Sequence, residues 1–281
     1  MDESKRSLAT AFLLISACAL CVVFPFFYFG IPSGHDFEIH FNSWIEVVDH
    51  WKSANFYPHW DAMAHFGYGE ARFIFYPPLS WLLGALLGLI LPWKLVPGAF
   101  IWIVLTLAGW SMFAVASKWL PRKGAIFAAV LYAANPYNLV IVYWRSAFAE
   151  LMAAIYLPLL LLLLFRIGES DDQRRTLLPL SLLMAAGWLT NVPSAVMMNY
   201  SLALLAFTIA LQRKKSSVLL YSGVAAALGA LLAGFYLVPV FHQQTWVNIG
   251  EVLGPGLRPL DNFLFTNTDD ADHNRFNLLI S

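Results

Sequence analysis

The chain has 281 residues, 59% hydrophobic and 12% charged, with 17 basic and 17 acidic side chains and a formal net charge of zero. That charge content is about half of what a soluble domain carries, and the lack of a basic excess argues against nucleic acid as a partner. Cys18 and Cys21 fall in one apolar run. They supply neither a disulfide framework nor a four-ligand metal site, and they read as small buried hydrophobes.

Apolar runs fall at 8–30, 76–92, 97–117, 124–143, 149–165, 177–190, 195–211 and 217–241, several of them near the roughly 20 residues that cross a bilayer. The first follows Lys5-Arg6 and contains Leu14-Ile15-Ser16-Ala17-Cys18, which looks like a lipoprotein cleavage box. The run continues to Phe29, so a spanning helix explains it better than a removed signal.

Residues 34–75 follow as a polar, aromatic segment with five of the seven histidines and six of the seventeen acids. On a helical wheel, Asp36 to Lys52 place Phe37, Phe41, Trp44, Ile45, Val48 and Trp51 on one side. Glu38, Asn42, Glu46 and Asp49 take a second side, and Asp36, His40, Ser43 and His50 a third. This predicts a helix lying on the membrane with its aromatic face among the headgroups. Asp36 and His40, at i and i+4, can both reach one ion or substrate; an ordinary interfacial helix with a solvated polar face fits the same periodicity. The spacing of His35, His40, His50, His59 and His65 matches no standard zinc cluster.

If all eight runs crossed, the Lys118/Arg122/Lys123 loop and the later basic loops would lie opposite Lys5/Arg6, against the rule that cytoplasmic loops hold the Lys and Arg excess. The run 76–92 opens with Pro77-Pro78, carries Gly84 and Gly88 and closes on Pro92-Trp93; it reads as a helix in the outer interface. Seven crossings remain, with 11 basic residues inside and 6 outside. The N-terminus is then cytoplasmic and all seven histidines face outward.

Between the fourth and fifth runs, Trp144-Arg145-Ser146-Ala147-Phe148-Ala149-Glu150 sets an acid at the mouth of a span, where a charge needs a cavity or a partner. Arg145 either neutralises Glu150 or is free for a phosphate, with Glu150 free for a metal or an acceptor. Thr190-Asn191-Val192-Pro193-Ser194 breaks a short hairpin, and its polar residues can re-satisfy freed backbone groups. The expected organisation is a transmembrane module over 1–245, with its outer loop at 31–96, and a polar outer segment over 246–281 that leads toward a further C-terminal part.

An acid just after the first span, a Pro-Pro-Leu interfacial helix and a second acid in the next outer loop resemble the C-type (GT-C) membrane glycosyltransferases, which take sugars from polyprenyl-phosphate carriers. More closely, Gly34-His35-Asp36, Tyr57-Pro58-His59-Trp60, Gly67-Tyr68-Gly69 and Phe75-Tyr76-Pro77-Pro78-Leu79 resemble a bacterial membrane family labelled as a 6-pyruvoyl-tetrahydropterin-synthase-related domain. The resemblance covers roughly residues 8–245, and the pterin chemistry of that label has no counterpart in these residues. It implies an all-α polytopic transmembrane bundle of about seven crossings in a bacterial inner membrane. It also implies sugar transfer, with inversion, from a polyprenyl-phosphate donor to an acceptor on the outer face.

By that pattern Asp36 matches the catalytic acid of the first loop, acting as base, and Glu150 the acid of the second. His35, His40, Arg72, Tyr76 and Arg145 are expected to bind substrate, with Arg72 or Arg145 holding the departing phosphate. Asp36, Glu150 and His40 are the expected ligands of a divalent cation, Mg or Mn. The GT-C pattern often has Asp at the second position, so Glu150 leaves metal use open. A non-catalytic membrane scaffold or lipid-binding subunit is the main alternative. A transporter is weaker, because the spans lack the midplane charges of a coupled pump.

Overall fold

Apolar composition and helix-compatible spacing lead to helices almost throughout. The computed structural model describes residues 3–170, 172–248, 250, 259–262 and 267–280. Among them the only strand-like pairing is an isolated antiparallel bridge, Asp61 with Glu70. The chain divides into two compact units, Met1–Leu237 and Val238–Ser281.

Within the first unit five stretches are long and apolar enough to cross a membrane: Leu8–Phe29, Trp93–Ala116, Arg122–Arg145, Phe148–Glu169 and Val192–Arg213. Helix α1 (Glu3–Val23) opens the first stretch, and helix α2 (Phe37–Lys52) follows in the polar segment. Helix α3 (Pro78–Ile90) comes next, then α4 (Val96–Ala116), which is the pillar of the bundle. Some 61% of the apolar window around α4 is buried, against 22% for α1. Phe100, Ile101, Val104, Leu105 and Ala108 form its fully enclosed face.

Beside the expected seven crossings, five helices among the described residues are long and apolar enough on their own, and six if one bent pair is a single span. The run 177–190 becomes helix α5 (Arg174–Thr190), 17 residues with Pro179 inside. At 1.5 Å per residue it is about 26 Å long, at the low end of the lengths that span a bilayer, and it carries the chain from the Glu169 end to the Asn191 end. The run 217–241 is broken: Ser217–Leu232 and Gly234–Trp246 meet at 71°, and only if they form one bent span is the count six.

Helix α3 has 13 residues and is about 20 Å long, too short to span. It packs beside α2 and α4. At the break expected near residue 191, Asn191 caps helix α6 (Val192–Arg213): its Oδ1 accepts from Ser194 N at 2.9 Å and from Ser194 Oγ at 2.8 Å.

Helix α2 lies where the periodicity puts it, but its aromatic face packs on protein and not among headgroups, and burial extends beyond that face. His40, Ser43, Trp44, Glu46, Val47 and Val48 are enclosed by protein. The Trp44 ring stacks on Phe100 and Phe148 at centroid distances of 5.2 and 5.3 Å. A packed aromatic ring removes far more apolar area from water than a surface position does, so Trp44 turns α2 inward. Gly84 makes room for it: a Cβ there would stand 2.2 Å from the indole ring.

Charged partners mark the two ends of this unit. Lys118 Nζ meets Glu169 Oε2 at 2.7 Å, and Arg213 lies 3.9 Å from the same carboxylate. The polar segment, the Arg145–Glu150 turn and the Asn191 cap gather away from that basic end.

The second unit contains helix α7 (Ala271–Ile280), where the sequence reading placed only a polar segment. Asp270 Oδ1 accepts from the backbone N–H groups of Asp272 and His273 at 2.9 and 3.2 Å, satisfying donors at the helix start. Asn277 Nδ2 donates to Asp261 O at 3.0 Å.

Candidate functional site

Ile141–Arg145 forms a wide π turn, closed by Ser146 N–H donating to Ile141 O at 2.6 Å. Ser146 then adopts the left-handed region at φ 53. The loop before α2 docks on this corner. Gly34 N–H donates to Ser146 Oγ at 3.1 Å, the Ser146 hydroxyl donates to Pro32 O at 3.2 Å, and Asp36 N–H donates to Arg145 O at 2.8 Å. A Cβ on Gly34 would lie 2.3 Å from Trp144 O, so the approach requires glycine. Two motifs 110 residues apart in sequence are thereby held together, with Asp36 beside the Arg145–Glu150 turn.

Tyr76 lies within electrostatic reach of the expected charged residues. Burial raises its hydroxyl pKa most, the Asp36 and Glu150 carboxylates raise it further, and Arg72 and Arg145 pull the other way. All four expected charged residues therefore act on one phenol. The Tyr76 hydroxyl is 3.4 Å from His40 Nε2, which also accepts the Phe148 backbone N–H at 3.2 Å. Burial above all lowers His40 to a pKa of about 4, with Asp36 opposing and Arg72 reinforcing the shift. His40 is thus a neutral buried acceptor tying α2 to the Glu150 turn.

Glu150 is held from both sides: Arg145 Nη1 lies 2.9 Å from Oε2, and the Tyr137 hydroxyl donates to Oε1. The pair lines a cavity of about 610 Å³ together with the polar residues Tyr132, Asn135, Asn138, Asn191 and Ser194 and the apolar Leu157, Met197 and Met198. That volume lies within the range of small-ligand sites. Asp36 is outside the cavity lining and is joined to it through the Arg145 carbonyl. His35 is exposed and bonds Asp36 Oδ1 through Nδ1 at 2.8 Å.

Arg72, expected to hold a phosphate, does another job. Its Nη1 lies 2.8 Å from Asp61 Oδ2 and donates to Ser43 Oγ at 3.1 Å and Ile39 O at 3.3 Å, and its Nε bonds Glu70. Only 13% of the side chain is exposed, and Asp61 is 1% exposed. Burial alone would raise the Glu70 carboxyl, but bonds from Arg72 and His65 outweigh it and hold the pKa below its usual value. Glu46 joins the same fold-back by accepting Ala62 N–H at 2.9 Å. Arg72 is a clamp across the first loop, its Nε and Nη1 both engaged by protein.

The expected cation ligands each have a protein partner. His40 Nε2 is taken by the Phe148 N–H, Asp36 is bonded by His35, and both Glu150 oxygens have protein partners. Among the described residues no group of three or more His, Cys, Asp or Glu side chains converges to hold a metal ion. The sequence reading missed Tyr137, Asn135, Asn138 and Asn191. Their signals were the Asn135-Pro136-Tyr137-Asn138 run at the end of a span and the Asn-Val-Pro-Ser break, read only for its effect on the backbone.

The model of a family described as a 6-pyruvoyl-tetrahydropterin synthase related domain, membrane protein, matches residues 73–252. The match contains Arg145, Glu150 and the cavity, and begins after Asp36. No curated protein and no solved structure matches the chain.

Proposed function

The chain belongs to the 6-pyruvoyl-tetrahydropterin synthase related family of membrane proteins, and from that premise we propose that it is a membrane glycosyltransferase drawing a sugar from a polyprenyl-phosphate donor. The observation that carries this reading is the docking of the Asp36 loop on the Arg145–Glu150 turn, with Asp36 N–H donating to Arg145 O at 2.8 Å, beside a cavity whose lining is part polar and part apolar. A lipid-linked sugar has that same division: a hydroxyl-rich head, a phosphate and a hydrocarbon chain.

In this scheme an acceptor hydroxyl attacks the anomeric carbon as the bond from that carbon to the phosphate oxygen breaks, inverting the centre. Asp36, 27% exposed and steadied by His35, takes the hydroxyl proton, a role that contributes about 10² to 10⁴-fold. Arg145 turns from Glu150 to the leaving phosphate, whose growing charge needs a preorganised donor. Glu150 and Asn191 orient the sugar, and no step is assigned to a divalent ion. Arg72 and His40 hold the loop in place.

The site end faces outward and the basic end inward in this reading, supported by the 11 to 6 distribution of basic residues and by the meeting of Lys118, Glu169 and Arg213 at one end. A Ser117→Cys variant in intact cells tests it: protection from an impermeant thiol reagent is expected, and ready labelling reverses the orientation.

The scaffold reading has one observation in its favour: Glu150 is fully satisfied by Tyr137 and Arg145 with no substrate present. Reconstitution of the full-length protein with a polyprenyl-phosphate sugar separates the two. Transfer that weakens in Arg145→Ala through donor affinity, by about 10- to 100-fold for one charge-assisted contact, supports the enzyme. Absence of any donor consumption or binding leaves the scaffold.

A further inference from the structure

A second cavity lies between α1 and α4, apart from the Glu150 site. Its volume is about 590 Å³, and Leu20, Val23, Phe26, Leu95 and Trp102 give it an almost wholly apolar wall. Lys94 is the one charged residue in its lining. Lys94 is exposed and has no ion pair among the described residues. It sits in the short turn Trp93–Leu95 at the head of α4. Trp93 stands edge-on to Phe41 of α2 at 5.7 Å, which fixes that turn on the protein.

An apolar wall between two candidate spans faces hydrocarbon, and a lysine at the end of such a wall reaches the headgroup layer. A bare alkyl chain would fill the apolar wall but make no use of the ammonium at its end. A basic group beside an interhelical groove favours an anionic headgroup. We propose that this groove is a binding site for an anionic membrane phospholipid, one acyl chain lying between α1 and α4 and its phosphate on Lys94. The proposal does not depend on sugar transfer, because none of the lining residues belongs to the Glu150 cavity.

Two substitutions separate the headgroup contact from the chain contact. Lys94→Gln removes the charge at an exposed position. Gly98→Leu fills the groove from α4, where a Cβ meets nothing nearer than Phe26 at 3.9 Å. Native mass spectrometry of the full-length protein, titrated with phosphatidylglycerol or phosphatidylcholine, reads the outcome. The expected result is retention of one phosphatidylglycerol in preference to phosphatidylcholine. Lys94→Gln should lose that preference by about fivefold, the size of one lysine's attraction to an anionic lipid headgroup. Gly98→Leu should lose both lipids while keeping the melting temperature of the parent. Equal retention of the two lipids by the parent protein, or a Lys94→Gln or Gly98→Leu variant that retains phosphatidylglycerol as the parent does, overturns the proposal.

Discussion

Arg72 and Arg145 each face a carboxylate at hydrogen-bond distance, yet they differ in what surrounds them. Arg72 and Asp61 are 13% and 1% exposed and spend every contact inside the first loop, whereas Arg145 and Glu150 are 35% and 22% exposed and border a cavity. Burial decides the difference. A buried pair cannot lose one member without stranding a charge, and so it holds structure. A half-exposed pair gives up little when it opens, so it can exchange a carboxylate for a phosphate. Identical chemistry in sequence thus becomes a clamp in one place and a candidate binding group in the other.

The largest effect expected from this contrast is on stability. Arg72→Ala leaves Asp61 charged and unpaired in the protein, a loss of about 3 to 5 kcal/mol. Thermal unfolding in detergent should show a large fall in melting temperature, and a fall no greater than that of Arg145→Ala breaks the comparison. Arg145→Ala itself should cost less than about 1 kcal/mol, because Glu150 keeps the Tyr137 hydroxyl.

The pH response sharpens the same contrast. His40 is neutral in the fold and has its pKa lowered to about 4 from 6.5, so the unfolded chain binds the proton more readily. Stability from this residue is complete above about pH 6.5 and drains away as pH falls toward 4, by up to about 3 kcal/mol. Unfolding of the parent and of His40→Gln, followed from pH 7 to pH 4, should diverge in slope. Parallel curves would remove His40 from its role as the tie between α2 and the Phe148 turn.

Much of this was legible in the sequence because it depends on local pattern. Apolar runs gave the helices, Pro77-Pro78 and Pro92 bounded the short α3, and Asp36, Arg72, Tyr76, Arg145 and Glu150 stood out as polar groups at span ends. What was hidden depends on long-range packing. No periodicity says that Arg72 folds back onto Asp61 and Ile39, or that Trp44 turns α2 inward onto Phe100. The Asp270 cap of α7 is different: Asp269-Asp270-Ala271-Asp272 is a local start signal, and a reading centred on apolar runs passed over it.

The central claim is that Asp36 removes a proton from an acceptor at the end where Arg145 and Glu150 gather. Its most direct test is the rate of sugar transfer from a polyprenyl-phosphate donor by the reconstituted full-length protein, compared between Asp36→Asn and Glu38→Gln. The amide at position 36 keeps the volume but cannot take a proton, so a fall of about 10² to 10⁴-fold is expected with donor binding preserved. Glu38, exposed and without a bond to the site, should change the rate little. Equal rates for the two variants, or an Asp36→Asn protein as fast as the parent, would contradict the account.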